Sequence, residues 1–174
     1  MWKHLIHPNI LPLLGITITP FQLISNWMPG GDLPEYLKKN PNANRLVLVS
    51  FHFACLFCPC SRYQLSDVAE GLRYLHSCNV THGDLKGVRE RSESLFTSML
   101  TPGQPNILVD EFGHARIADF GLAAVAQNLD PTLAISSQRG QTVRWAAPEV
   151  LNGAPCTKQA DIFSFAMVMF EVIG

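Results

Sequence analysis

Three short motifs, in a fixed order, contain the residues best suited to chemistry. The chain carries His82-Gly83-Asp84-Leu85-Lys86, then Asp119-Phe120-Gly121, then Ala147-Pro148-Glu149. Aspartate carboxylates can accept a proton or hold a divalent cation, and a lysine can neutralise anionic charge. Each motif alone is a weak signal, because an aspartate in such a stretch is more often an ordinary turn residue. All three motifs in this order are a much stronger signal than any one of them.

Local patterns predict the elements that hold these motifs. Strands are predicted over Ile10 to Ile18, Phe21 to Trp27, Asn106 to Val109 and Ala115 to Ala118, the last two joined as a hairpin by residues 110–114. Asp32 can cap a short helix over residues 33–37.

Two longer helices are also predicted. Leu65 to His76 has the apolar spacing of an amphipathic helix. Ala160 to Val172 is apolar nearly all round, which predicts a helix buried on every side.

Composition indicates one globular domain with no special partner chemistry. The 174 residues are 47% hydrophobic and 16% charged, and a net charge of −1 gives no reason to expect nucleic acid. The five cysteines form an odd, partly clustered set, which favours reduced thiols and a cytoplasmic protein. The apolar run Leu46 to Cys60 is too short for a membrane span, which needs about 20 residues, so we expect no membrane span.

Taken together, the motifs resemble the catalytic loop, the metal-binding loop and the end of the activation segment of eukaryotic protein kinases. The flanks agree: His7 to Ile10 is similar to the loop after the regulatory helix, and Ser25 to Met28 to the hinge between the lobes. Gly140 to Glu149 resembles the substrate-docking loop of the tyrosine-kinase-like group. The resemblance implies an α+β, two-lobed kinase fold, incomplete, holding the end of the small lobe and the helical large lobe through its central helix.

The resemblance also implies a role for each site residue. Asp84 would orient the substrate hydroxyl and accept its proton, and Lys86 would neutralise charge on the transferred phosphate. Asn106 and Asp119 would hold Mg²⁺ through oxygen ligands. For ATP, Leu108 would lie under the adenine, and backbone groups of Asn26 and Met28 would bond its edge. By the same resemblance His82 is structural, and Asp161 braces the backbone of the catalytic loop.

Two features bear on substrate and regulation. The Asp-Leu-Lys form ending at Lys86 is typical of serine/threonine kinases, so the expected partners are ATP and a protein substrate. Gly83 replaces the arginine that normally pairs with a phosphorylated activation loop, so activity would not be switched that way.

The sequence has no glycine-rich loop or strand lysine before the hinge and ends soon after the predicted central helix, and we expect this chain to be inactive by itself.

Two segments, residues 49–64 and 88–104, depart from the family pattern. Asn106 lies 22 positions after Asp84, and removing the 17 residues 88–104 restores the family spacing of five. Removing residues 49–64 joins two parts of one helical stripe. Both segments begin with valine, whose codons start with GT, and end with glutamine, whose CAG codon ends in AG.

Such boundaries match splice sites. One explanation of these segments is therefore two introns retained in the translated sequence, short like those of some fungi. The other explanation is that both are family-specific insertions. The first segment contains His52, Cys55, Cys58 and Cys60, but a single compact cluster of such residues is a poor zinc site. Both segments are predicted to pack poorly. The sequence thus predicts a protein serine/threonine kinase, with a non-catalytic pseudokinase or degenerate fragment, acting only in binding, as the alternative.

Overall fold

The computed structural model describes residues 4–19, 21–41, 43, 64–87, 105–120 and 144–173. These residues form a mixed α+β arrangement with two small antiparallel sheets and four helices. Strands β1 (Leu13–Ile18) and β2 (Phe21–Ser25) pair as a hairpin. Strands β3 (Gly31–Asp32), β4 (Ile107–Val109) and β5 (Ala115–Ile117) form the second sheet, in that order. The fold class inferred from the sequence is confirmed, although β1 begins three residues later than predicted.

Helix α1 (Leu33–Lys39) begins where the sequence predicts. The Asp32 carboxylate accepts a hydrogen bond from the Glu35 amide at 2.8 Å, which satisfies one of the free N–H groups at the helix start. Pro34 lies in the first turn, where its missing N–H costs nothing. The predicted N-cap is confirmed.

Helix α2 (Gln64–Ser77) buries the predicted apolar stripe, formed by Leu65, Val68, Leu72 and Leu75. Gly71 allows the chain to approach closely, because a β-carbon there would lie 2.7 Å from the Asn9 carbonyl oxygen. Asp67 on the same helix accepts a hydrogen bond from the Ala115 amide at 2.9 Å. The helix is thereby fixed against the sheet that carries the second motif.

Helix α3 (Pro148–Leu151) is short, and α4 (Lys158–Ile173) is the predicted long apolar helix. One face of α4 is buried through Phe165, Val168 and Val172. The prediction of burial on every side is wrong, because Ile162 is 54% and Phe170 is 74% exposed. An apolar sequence specifies an apolar surface but not what covers it, and the described residues cover one face only.

The predicted insertions lie outside the described residues except for Gln64. This residue is buried, begins α2, and donates a hydrogen bond to the Gly113 carbonyl at 3.2 Å. For Gln64 the prediction of poor packing is wrong, because its amide satisfies a buried carbonyl of the β4–β5 turn. His52, Cys55, Cys58 and Cys60, the residues considered above as a poor zinc site, also lie outside the described ranges, whereas Cys78 is exposed and Cys156 is partly buried. Among the helices of the described ranges, none has both the length and the apolar character to cross a bilayer.

Candidate active site

Asp161, near the start of α4, braces the loop that carries the first motif. Its side chain is 2% exposed. Oδ1 accepts a hydrogen bond from the Gly83 amide at 2.9 Å, and Oδ2 accepts one from the His82 amide at 2.8 Å. These bonds fix the backbone immediately before Asp84, as the resemblance implied.

His82 is buried and joins the first motif to the second. Its Nδ1 accepts a hydrogen bond from the Asp84 amide at 3.2 Å, so the ring proton sits on Nε2, which donates to the Ala118 carbonyl at 3.1 Å. Burial lowers the pKa of the imidazole below its ordinary value, against the opposing influence of Asp161 and Asp84. The neutral ring therefore connects the loop before Asp84 with the residue preceding Asp119.

Asp84, Lys86 and Asn106 form one bonded group. Lys86 Nζ lies 2.8 Å from Asp84 Oδ2, with the ammonium buried and the carboxylate 36% exposed. The Asn106 amide oxygen accepts a hydrogen bond from the Lys86 N–H at 2.9 Å, and its amide nitrogen donates to the Asp84 carbonyl. The chain thus returns to the loop at Asn106 despite the 22 positions between Asp84 and Asn106.

Asp119 lies beside this group. The Ala118 amide donates to the Asn106 carbonyl at 2.8 Å, which places the start of β4 next to the second motif. Asp119 itself has a φ of +56°, a left-handed conformation that aspartate tolerates better than most residues. Its carboxylate reaches solvent, yet surrounding protein raises its pKa by desolvation, and the Asp84 carboxylate raises it further against the lowering effects of His82 and Lys86.

The three residues expected to hold adenine divide into two environments. Met28 is buried and shares a small apolar cluster with Leu11 and Ala118, against which Leu108 packs. Asn26 is exposed at the end of β2. The Met28 carbonyl accepts a hydrogen bond from the Gly31 amide at 3.0 Å, which closes the turn into β3. Leu108 and Met28 are therefore brought together next to Ala118, one residue before Asp119.

Sequence reasoning missed two polar side chains that support the site. His76, in the last turn of α2, lies with Nε2 2.8 Å from Asp161 Oδ2. Glu171, near the end of α4, accepts a hydrogen bond from the Trp145 indole at 3.2 Å. Both contacts join distant parts of the chain, and no local pattern indicates them. No group of three or more His, Cys, Asp or Glu side chains suited to a metal occurs within the described ranges.

Comparison with known families supports the motif analysis. A family model described as protein tyrosine and serine/threonine kinase matches residues 1–89 and 103–174. The interval that the match leaves out, 90–102, falls inside the second predicted insertion.

Several curated proteins are similar over nearly the whole chain. A probable serine/threonine-protein kinase of Dictyostelium discoideum is 31% identical, covering 95% of this chain and 8% of the relative. Serine/threonine-protein kinase STY46 of Arabidopsis thaliana is 30% identical over 96% of this chain and 24% of its own length. The mitogen-activated protein kinase kinase kinase dlk-1 of Caenorhabditis elegans is 28% identical over 98% of this chain and 15% of its own length. The chain thus spans less than a quarter of the length of these relatives.

Proposed function

The chain belongs to the protein tyrosine and serine/threonine kinase family, and on that premise we propose that it contributes the catalytic centre of an enzyme that transfers the γ-phosphate of ATP to serine or threonine side chains of proteins. Use of ATP and a divalent metal is general in this family. The observation that carries the proposal is the bonded group of Asp84, Lys86 and Asn106 beside Asp119. The serine/threonine class is supported by Lys86 and by the names of the similar proteins.

Asp84 is the residue that would receive the substrate hydroxyl. Its carboxylate is partly open to solvent, while Lys86 holds one oxygen at 2.8 Å. The backbone on either side is fixed, by His82 at the Asp84 amide and by Asn106 at the Asp84 carbonyl. Such fixing matters because phosphoryl transfer depends mainly on positioning and charge neutralisation.

Asn106 and Asp119 fit a divalent cation. The Asn106 amide oxygen has accepted one hydrogen bond and keeps a second lone pair. The Asp119 carboxylate is held where desolvation and Asp84 disfavour its charge, so a nearby cation would relieve that cost. Mg²⁺, when bound, would neutralise charge on the phosphates of ATP. The apolar cluster of Met28 and Leu108 offers a surface for adenine.

The non-catalytic alternative is not favoured. A kinase-like segment kept only for binding would not need Asp84, Lys86, Asn106 and Asp119 to be retained together. In this chain all four are present, and the described geometry gathers them.

Residues 1–174 form one partial kinase domain in this proposal, with residues 49–64 and 88–104 as insertions. The family match that omits 90–102 and the return of the chain at Asn106 support the second insertion. In the first insertion, the last residue, Gln64, is also the first residue of α2. Sequencing transcripts across both junctions tests the proposal, since spliced transcripts lacking these codons would identify retained introns.

A paramagnetic titration tests the proposed site. Mn²⁺ with ATP, added to ¹⁵N-labelled chain, should broaden the amide signals of Asn106 and Asp119 before those of α1. Asp119→Asn removes a cation ligand and tolerates the left-handed backbone, so it should abolish the selective broadening. Asp67→Asn is the matched control, because Asp67 bonds the Ala115 amide at the start of β5, whereas Asp119 follows the end of that strand. Uniform broadening, or selective broadening that survives in Asp119→Asn, would contradict the proposed site.

A further inference from the structure

The hairpin of β1 and β2 is anchored to the rest of the described structure at its base. Leu11, just before β1, and Met28, shortly after β2, are buried in one small cluster. The Leu11 amide also donates to the Ile117 carbonyl at 2.9 Å, which ties the base to β5. Within the described ranges the two strands pair only with each other, and neither packs extensively on another element. Because two strands without a further layer are marginally stable in water, the hairpin needs a surface that covers it.

One face of this hairpin is apolar and open to solvent. Half-buried and exposed residues alternate along β1, and the exposed ones are Leu14, Ile16 and Ile18, at 59%, 55% and 83%. Successive side chains of a strand point to opposite faces, so Ile16 and Ile18 share one face, and Leu14 lies beside them at a register shift. Leu23 of β2 is directly opposite Ile16 and therefore points the same way. These four residues form the hairpin face.

The segment that contains the hairpin face has no charged side chain. Residues 8–31 include no Asp, Glu, Lys, Arg or His, although 16% of the whole chain is charged. Native proteins commonly place a lysine or another charge on an exposed strand, where it opposes pairing with a neighbouring molecule. That charge is missing here. An exposed apolar surface without it marks an interaction site.

The same lack of charge indicates which partner the hairpin face fits. A partner chosen by charge complementarity needs a charged residue on this surface to pair with, and residues 8–31 supply none. A second copy of the chain presents the same neutral surface, so no like charges meet when two copies approach. Contacts between identical surfaces around a two-fold axis close on themselves, and such an assembly stops at two copies.

We propose that two copies of the chain associate through their hairpin faces, with one β1–β2 sheet packed on the other across a two-fold axis. Ile16 and Ile18 of each copy are then buried against the hairpin face of the other, and the two sheets lie about 10 Å apart. Each hairpin thereby gains the second layer that the described ranges do not provide. The proposal uses none of the residues placed in the active site and does not depend on the proposed function.

Sedimentation equilibrium of the 174-residue chain tests the proposal. The mass of one copy is 19.3 kDa. We expect the average mass to rise toward twice that value between about 1 and 100 μM, because a small interface gives weak association. Ile16→Lys and Ile18→Lys each place an unpaired charge in the contact and should weaken association at least about tenfold. Both side chains are exposed in the single chain, so if one variant does not fold the other still gives the answer.

Two further measurements show whether the hairpin faces meet each other. Phe170→Lys changes an exposed apolar residue of α4 and is the matched control, which should associate like the unmodified chain. Ile16→Lys and Ile16→Glu should each be monomeric, whereas their equimolar mixture should form a heterodimer, because opposite charges then face each other across the contact. High salt should weaken that heterodimer and leave the unmodified dimer intact.

Three results would overturn the inference. The first is a chain that stays monomeric up to about 100 μM; if Ile16→Lys also lowers its free energy of unfolding, another part of the same chain covers the hairpin face. The second is association that is lost in Phe170→Lys and kept in Ile16→Lys, which would place the contact on α4. The third is growth beyond two copies, which a closed two-fold contact does not allow.

Discussion

The Asp161 carboxylate and the Gly83 amide are 78 positions apart in the sequence and 2.9 Å apart in the structure. Asp161 also accepts from the His82 amide and lies within bonding distance of His76 Nε2, all within a buried environment. We expect Asp161→Asn to destabilise the chain by about 2–4 kcal/mol, because an amide NH₂ would face a buried donor that keeps no partner. Urea unfolding measures this. Asp32→Asn is the control, because asparagine also serves as an N-cap and should change stability little. Equal losses of stability in the two variants would contradict the role of Asp161 in holding the loop before Asp84.

The second prediction follows from the neutral state of the His82 ring. Its pKa is lowered below 6.5, so the unfolded chain binds a proton there before the folded chain does. The contribution of His82 to stability is complete above pH 6.5 and is lost as pH falls below that value. His82→Asn keeps an acceptor near Nδ1 and cannot titrate, so the stability of this variant should fall less steeply than that of the unmodified chain as pH drops below 6.5.

Nitrogen-15 spectra of the imidazoles check the same point directly. At pH 7 the His82 ring should carry its proton on Nε2, as the Ala118 acceptor requires. A proton on Nδ1, or a His82 signal that titrates above its ordinary pKa, would contradict the described hydrogen bonds.

The sequence predicted those parts of the fold that depend on neighbouring residues. The Asp32 cap and the apolar stripe of α2 are local patterns, and both are confirmed. The contacts of His76 and Glu171 could not be predicted, because each joins segments that are distant in sequence. The exposed Phe170 face of α4 was missed for a related reason: composition records hydrophobicity but not the surface that it meets.

The third prediction concerns Asp119 and the dependence of the chain's stability on Mg²⁺. The pKa of Asp119 is raised in the folded chain, chiefly by desolvation. Ionisation of Asp119 therefore destabilises the folded state, and stability is lost as pH rises through the pKa that Asp119 has in the folded chain. At neutral pH without metal, Asp119→Asn should therefore raise the melting temperature. Mg²⁺ should stabilise the unmodified chain and have no effect on the variant. Equal stabilisation of both by Mg²⁺ would place the cation elsewhere.

A fourth prediction concerns turnover. We expect the 174-residue chain with Mg²⁺ and ATP to phosphorylate a generic protein substrate no faster than its Asp84→Ala variant. The sequence has no Gly-x-Gly-x-x-Gly loop to hold the phosphates, and misplacement by about 1 Å can cost 100-fold in rate. Incorporation of labelled phosphate that depends on Asp84 would show this prediction to be wrong while supporting the proposed function.

The last prediction concerns the segment between Lys86 and Asn106. These two residues are joined by a 2.9 Å hydrogen bond, although 20 positions separate them in the sequence. Because Lys86 and Asn106 meet, closing the chain between them costs conformational entropy that grows with the number of intervening residues. Each halving of loop length recovers about 0.6 kcal/mol, so deleting residues 88–104 should stabilise the chain by about 2 kcal/mol.

A matched replacement distinguishes loop entropy from specific contacts. Exchanging residues 88–104 for a Gly/Ser stretch of equal length should leave the free energy of unfolding unchanged if the segment is only a tether. The deletion should raise that free energy and keep the Asn106 and Lys86 amide signals in place. If the deletion destabilises the chain and the Gly/Ser exchange does so too, residues 88–104 contribute contacts of their own, and they are not an insertion into an otherwise complete catalytic loop.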